Sequence, residues 1–179
     1  MSTTTLTVWH YDTSMGAAAG EVRLKDLQQQ GAVRVVDAIT VTWVPGADEP
    51  HLGHLLRQGP ASIARGSMLG AMVGLLMLEP VAGAVDGARI AELAHRLRDT
   101  GIDQAFLEEV KRRITPGTSA LLVLSDEADR EVVRGFVERG LARGDVRLMH
   151  TSLRDGAPDA LRALVESTIG GPRGIARSG

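Results

Sequence analysis

Residues 5–44, TLTVWHYDTSMGAAAGEVRLKDLQQQGAVRVVDAITVTWV, decide the fold class. In Thr5–Tyr11, Leu6, Val8 and His10 alternate with Thr5, Thr7, Trp9 and Tyr11, the period-two pattern of a strand. Asp12, Thr13 and Ser14 offer capping side chains, so a helix is expected from about Met15 to Gln30. Its apolar positions Ala17, Gly20, Leu24 and Leu27 step by three and four, and Gly31 suits a left-handed stop. A β-branched run from Val33 to Val44 follows and ends at Pro45-Gly46. The stretch is a βαβ or split βαβ unit.

Working outward, a second unit of this kind lies near the other end. Ser119–Leu124 is a short apolar run of the buried-strand type. Ser125 or Asp126 can cap a helix with Val132, Val133, Phe136, Val137 and Leu141 on one stripe, and Gly144 precedes a strand over Val146–Leu153. Val33-Arg34-Val35 and Val146-Arg147-Leu148 even match loosely. Two such units in one chain most economically make an α+β, ferredoxin-like split βαβ sandwich. A last helix capped by Asp155, with Leu161, Leu164, Val165 and Thr168 on one face, completes the second half over residues 118–169, and 170–179 read as a disordered tail. The first half is residues 1–45, and residues 46–117 hold a linker and a helical insert. Within that insert, 45–61 read as linker and 103–114 as a surface helix. Asp103 caps it, Phe106, Leu107, Val110 and Ile114 lie along one side, and Thr115-Pro116-Gly117 stops it.

The insert carries the most distinctive pattern of the chain. Residues 66–74, GSMLGAMVG, place Gly66, Gly70 and Gly74 four apart, and Gly83 and Gly87 repeat the spacing after Glu79-Pro80. On a helix such glycines share a face and leave a groove without side chains. Each interior glycine costs roughly 0.5–1 kcal/mol relative to alanine, so close approach of another helix is the expected return. Met68, Leu69, Met72, Val73 and Leu75–Leu78, Met77 among them, make the other faces apolar. A helix that is apolar all round belongs in a core, a bilayer or an oligomer interface. At about 1.5 Å per residue, Gly66–Leu78 spans roughly 20 Å, short of a bilayer core of about 30 Å. Arg65, Glu79 and Pro80 block extension, so a single transmembrane helix is disfavoured. Two helices hinged at Glu79-Pro80, about 61–78 and 81–98, fit better. The second turns amphipathic and charged beyond Asp86, and its Arg89, Arg96, Arg98 and His95 make a basic stripe diluted by Asp86, Glu92 and Asp99.

Composition narrows the function. Net charge is −2 at a pI near 6.2 and only 3% of residues are aromatic, which argues against a nucleic-acid partner. The absence of cysteine rules out disulfides, thiolate metal sites and thiol catalysis. The N-terminus reads polar and then strand-like, without a signal peptide, so a cytoplasmic location is expected. No nucleophile elbow, phosphate loop or dinucleotide fingerprint is present, and Gly16-Ala-Ala-Ala-Gly20 lacks the lysine and hydroxyl of a phosphate loop. His51-Leu52-Gly53-His54 has a metal-ligand spacing but stands in linker, and the carboxylate pairs Glu108-Glu109 and Asp126-Glu127 read as helix-face charges. His10 and His150 each occupy an apolar-phase position, after Val8 and Leu148 respectively, and with the first and last strands adjacent the two are able to meet, beside Trp9 and Trp43, as a ligand seat.

The chain resembles domain of unknown function 1269, a bacterial family often labelled predicted membrane protein. The resemblance runs from TLTVWHYDT through QQQGAVRVVDAITVTW to LMHTSL, and its most specific parts are the glycine-rich insert and GIDQAFLEEVKRRITPGTSALLVLSD, residues 101–126. It implies a split ferredoxin-like layout with a glycine-zipper insert, similar to some general-stress proteins, and no established activity or cofactor. Glu79-Pro80 and the charged second helix depart from the family's usual pattern. The expectation is therefore a non-enzymatic protein without cofactor or metal that self-assembles through Gly66, Gly70, Gly74, Gly83, Gly87, Met68, Leu69, Val73 and Met77. Its partners are other copies of itself and, secondarily, the inner-membrane surface. The alternative is a small-ligand-binding or sensory domain using Trp9, His10, Trp43 and His150.

Overall fold

A computed structural model describes residues 4–55, 69–70, 72–73, 95, 97–128, 131–133, 135, 138–139, 146–157, 159 and 163. The elements follow in the order β1 (Thr5–Tyr11), α1 (Gly16–Gln29), β2 (Val33–Thr42), β3 (His51–His54), α2 (Gln104–Arg113), β4 (Ser119–Ala128) and β5 (Arg147–Ser152). The five strands form one antiparallel sheet in the order β3-β2-β4-β1-β5, so the chain is α+β. β4 lies at its centre. Ala120, Leu121, Leu122, Val123 and Leu124 are all buried, because both faces of the sheet are covered and the usual in–out alternation has no wet side.

The two faces are distinct. Trp9, Tyr11, Ala38, Leu121 and Val123 point to one, where Ala17, Leu24 and Leu27 of α1 pack on them. Leu6, Val8, Ile39, Val41, Ala120, Leu122 and Leu124 point to the other, under Leu107 and Val110 of α2 and under Leu69, Met72 and Val73 of the insert. The buried positions of α1 are the expected Ala17, Gly20, Leu24 and Leu27, and Gly31 takes the left-handed φ of +68° that stops the helix. Asp103 caps α2 as its sequence suggests, accepting the Phe106 N–H at 2.7 Å.

Three expectations are corrected. The side chains of Asp12, Thr13 and Ser14 do not cap α1, whose N-cap is Met15 with no side-chain bond. The Ala17 N–H instead donates to the Ser119 hydroxyl at 2.9 Å, and that hydroxyl donates to the Thr13 carbonyl at 2.6 Å. The cap thus comes from β4, a strand distant in sequence. Second, residues 45–61 are not all linker: His51–His54 pairs with Ile39–Thr42 as a hairpin, which moves β2 off the sheet edge. Third, Ser125 and Asp126 do not cap a helix. β4 runs on to Ala128, and Asp126 takes both ends of the Arg34 guanidinium from β2. Near this pair the β2–β4 register shifts between Arg34 and Val35 and again between Val35 and Asp37. After the second shift Asp37, opposite Leu124, falls in phase with Ile39 and Val41 and faces α2 and the insert.

Candidate functional site

Most of the residues named for the insert lie outside the described residues: Gly66, Met68, Gly74, Met77, Glu79, Pro80, Gly83 and Gly87. Leu69, Gly70, Met72 and Val73 are described, and all four are helical and buried. Leu69, Met72 and Val73 sit in one core with β1, β2 and β4, none of them more than 1% exposed. Spacings of three and four put these side chains on one stripe of a helix, and that stripe rests on the chain's own sheet.

A buried carboxylate marks the seat. Asp37 is only 4% exposed, and its Oδ2 accepts the Leu69 N–H at 3.1 Å. A carboxylate in an apolar core is costly unless hydrogen-bonded. A helical N–H pointing at it meets that need and fixes where the insert lands.

His10 ties the second cover of the same face. In β1 it is in phase with Leu6 and Val8, and lies opposite Ala120 on one side and Arg147 on the other. The ring is 4% exposed, and its Nε2 lies 2.7 Å from the carbonyl of Arg113, the last residue of α2. A carbonyl only accepts, so Nε2 carries the proton and neutral His10 leaves Nδ1 bare. Nδ1 is buried and has no hydrogen-bond partner; the nearest carboxylate oxygen is Asp12 Oδ1 at 3.7 Å. Burial holds the imidazole below its ordinary pKa. The Arg113 carbonyl and the Asp12 carboxylate work the other way, and the Arg113 and Arg147 guanidinium groups add to the lowering.

The imagined seat of Trp9, His10, Trp43 and His150 does not assemble. His150 is paired with Thr7, two residues on from the Trp9–Leu148 pair, so it shares the α1 side of the sheet with Trp9. His10 lies on the opposite side, three positions out of register. Trp43 joins the His10 side, half-buried at its rim, and its indole N–H donates to the Ala47 carbonyl at 2.9 Å. A strand alternates its side chains, so two histidines in adjacent strands meet only at matching register. His51 and His54 lose their shared helical face for the same reason, because they belong to β3. Among the described residues no group of three or more His, Asp or Glu is placed to hold a metal ion. Glu109, read as a helix-face charge, pairs with Arg112 and Arg113 along α2.

Sequence reasoning missed the Asp37 tether, the Ser119 cap and the role of Gly16 and Gly20. A Cβ on Gly16 would stand 2.3 Å from Tyr11 Cβ, and one on Gly20 2.4 Å from Tyr11 Oη. The GxxxG spacing therefore makes room for the Tyr11 ring against α1. Burial raises the pKa of that phenol, and the Arg23 guanidinium nearby holds part of the rise back. Asp37 and Ser119 had one available signal, a polar residue inside a run of buried-strand character.

The fold and these seats define an α+β protein with one five-stranded antiparallel sheet, on which the helical residues Leu69, Met72 and Val73 pack. The family model for Protein of unknown function (DUF1269) matches residues 63–166, and the chain belongs to that family. The matched span takes in the insert, α2, β4 and β5 and stops short of β1, α1, β2 and β3. Neither a curated protein nor a solved structure matches the chain. Among the described residues no helix is long and apolar enough to cross a membrane.

Proposed function

We propose that this protein is a non-enzymatic assembly module: a ferredoxin-like sandwich whose glycine-rich insert joins one copy to another. The strand order supports the first part. Without the short hairpin strand β3, the sheet reads β5-β1-β4-β2, the fourth-first-third-second order of a split βαβ sandwich.

The observation that carries the second part is which stripe of the insert the sheet uses. Leu69, Met72 and Val73 take the seat on the sheet. Continued as a helix at about 100° per residue, Gly66–Leu78 would carry its Gly66-Gly70-Gly74 stripe about a third of a turn to one side of that seat, with Met68 and Leu75 on the other flank and Leu78 opposite. One sheet face does not cover a helix that is apolar all round. The groove asks for a second helix, since small residues on one helix favour backbone-close packing of another. Tyr11 illustrates the rule within this chain: it fills the Gly16–Gly20 groove of α1, and it is the chain's one tyrosine.

The test is the mass of the detergent-free protein by size exclusion with light scattering at micromolar concentration. The expected result is a discrete multiple of 19.0 kDa that falls to the single-chain mass in Gly74→Leu, with the circular dichroism of the fold retained. Gly74 is the better target than Gly70, which is already buried within one chain. A wild-type chain that stays at 19.0 kDa overturns the proposal and returns the groove to the insert's own second helix.

A further inference from the structure

The geometry points to His10 as a proton-operated clamp between the turn after β1 and the C-terminal end of α2. With the ring neutral the clamp has one arm, the Nε2–H donated to the Arg113 carbonyl. That carbonyl ends a helix, where the last C=O groups lack intrahelical partners, and Thr118 Oγ1 reaches it only at 3.3 Å. Nδ1 is then a buried lone pair facing a carboxylate oxygen at 3.7 Å, two acceptors with no proton between them. Taking one proton from water onto Nδ1 changes the sign of that meeting. Both ring nitrogens then donate, Nε2 to Arg113 and Nδ1 to Asp12, and no bond breaks. The Asp12 side chain is 62% exposed, and the turn it belongs to leads directly into α1.

The groups around the ring set the balance from each element that packs on it. The turn after β1 contributes Asp12, which favours the cation. α2 contributes the Arg113 carbonyl, which also favours it, and the Arg113 guanidinium, which opposes it. β5 contributes Arg147, directly opposite His10, which opposes it. β4 contributes Ala120, which is uncharged. A cation at the end of α2 also meets the negative pole of the helix.

Imidazole nitrogen–proton correlation spectra of the full chain, titrated from neutral into acid, test the clamp. The expected neutral form is the Nε2–H tautomer. Below the midpoint a hydrogen-bonded Nδ1–H signal appears. Asp12→Ala moves the midpoint down and removes the hydrogen-bonded character of that signal, whereas Arg147→Gln moves the midpoint up. An Nδ1–H tautomer at neutral pH, or a midpoint that Asp12→Ala leaves in place, overturns the inference. Asp12 and Arg147 are both exposed, so the two variants alter the charges around His10 without opening the core.

Discussion

The two faces of the sheet are covered in different ways. The α1 face is closed by a helix that directly follows its own strand, and its core is apolar and aromatic, with the neutral hydroxyls Ser119, which caps that helix, and Ser125 buried on the same side. The opposite face is closed by α2 and by the insert, both distant in sequence from β1 and β2. Each of these covers is tied by a buried polar side chain, α2 by His10 and the insert by Asp37. A local cover is positioned by the short turn that delivers it. A distant cover has many ways to slide over an apolar face, and a polar group that must find its one partner removes most of them. The fold shifts the proton affinity of the His10 tether downward through burial.

The strongest test of this contrast compares one leucine from each cover. Leu24 of α1 and Leu69 of the insert are each 1% exposed, and truncating a buried leucine to alanine costs about 2–5 kcal/mol. If the insert is as much a part of the cooperative core as α1, Leu24→Ala and Leu69→Ala lower the denaturation midpoint by similar amounts in a single transition. A much smaller loss for Leu69→Ala, or an early separate transition, would show that the insert lifts off before the sheet unfolds. A smaller pair of effects compares the tethers. Asp37→Ala leaves the Leu69 N–H buried without this acceptor, and a buried donor left unsatisfied costs about 1–3 kcal/mol. Ser119→Ala removes a helix cap, typically worth about 1 kcal/mol. Chemical denaturation should therefore rank Asp37→Ala as the costlier change, and the reverse order would mean that the insert's landing point is held by packing alone.

The α1 face was legible in the sequence almost to the residue, because its information is local. The strand period, the steps of three and four in Ala17, Gly20, Leu24 and Leu27, and the stop at Gly31 all lie within one stretch. The α2 stripe and its Asp103 cap were legible on the same grounds. What the sequence hid depends on register. Whether His10 meets His150 or Arg147 turns on a shift of three residues between adjacent strands, and no local pattern fixes that shift. Asp37 reaches the insert only because two register shifts between β2 and β4 set its phase. Ser119 replaces the three local capping candidates because the start of β4 passes beside the start of α1. The His51–His54 hairpin was masked by Pro and Gly punctuation, which marks a turn as readily as a linker.

The smallest expected effect lies in the pH dependence of stability, and it separates the two faces most directly. His10 has its pKa lowered from 6.5 in the folded chain. Below pH 6.5 the unfolded chain therefore takes up the proton first, and acid favours unfolding. The stability that neutral His10 contributes is whole above pH 6.5 and drains away as pH falls toward the folded pKa, with a slope for one proton of no more than about 1.4 kcal/mol per pH unit. His10→Gln keeps an amide N–H for the Arg113 carbonyl and has nothing to titrate. The stability difference between wild type and His10→Gln should be flat above pH 6.5 and should shift against wild type below it. Tyr11, on the α1 face, has its pKa raised and stays neutral through this range, so Tyr11→Phe should shift stability by the same amount at every pH in the window. A slope that survives in His10→Gln would place the acid sensitivity elsewhere, whereas its loss there and persistence in Tyr11→Phe would locate it on the face that α2 and the insert cover.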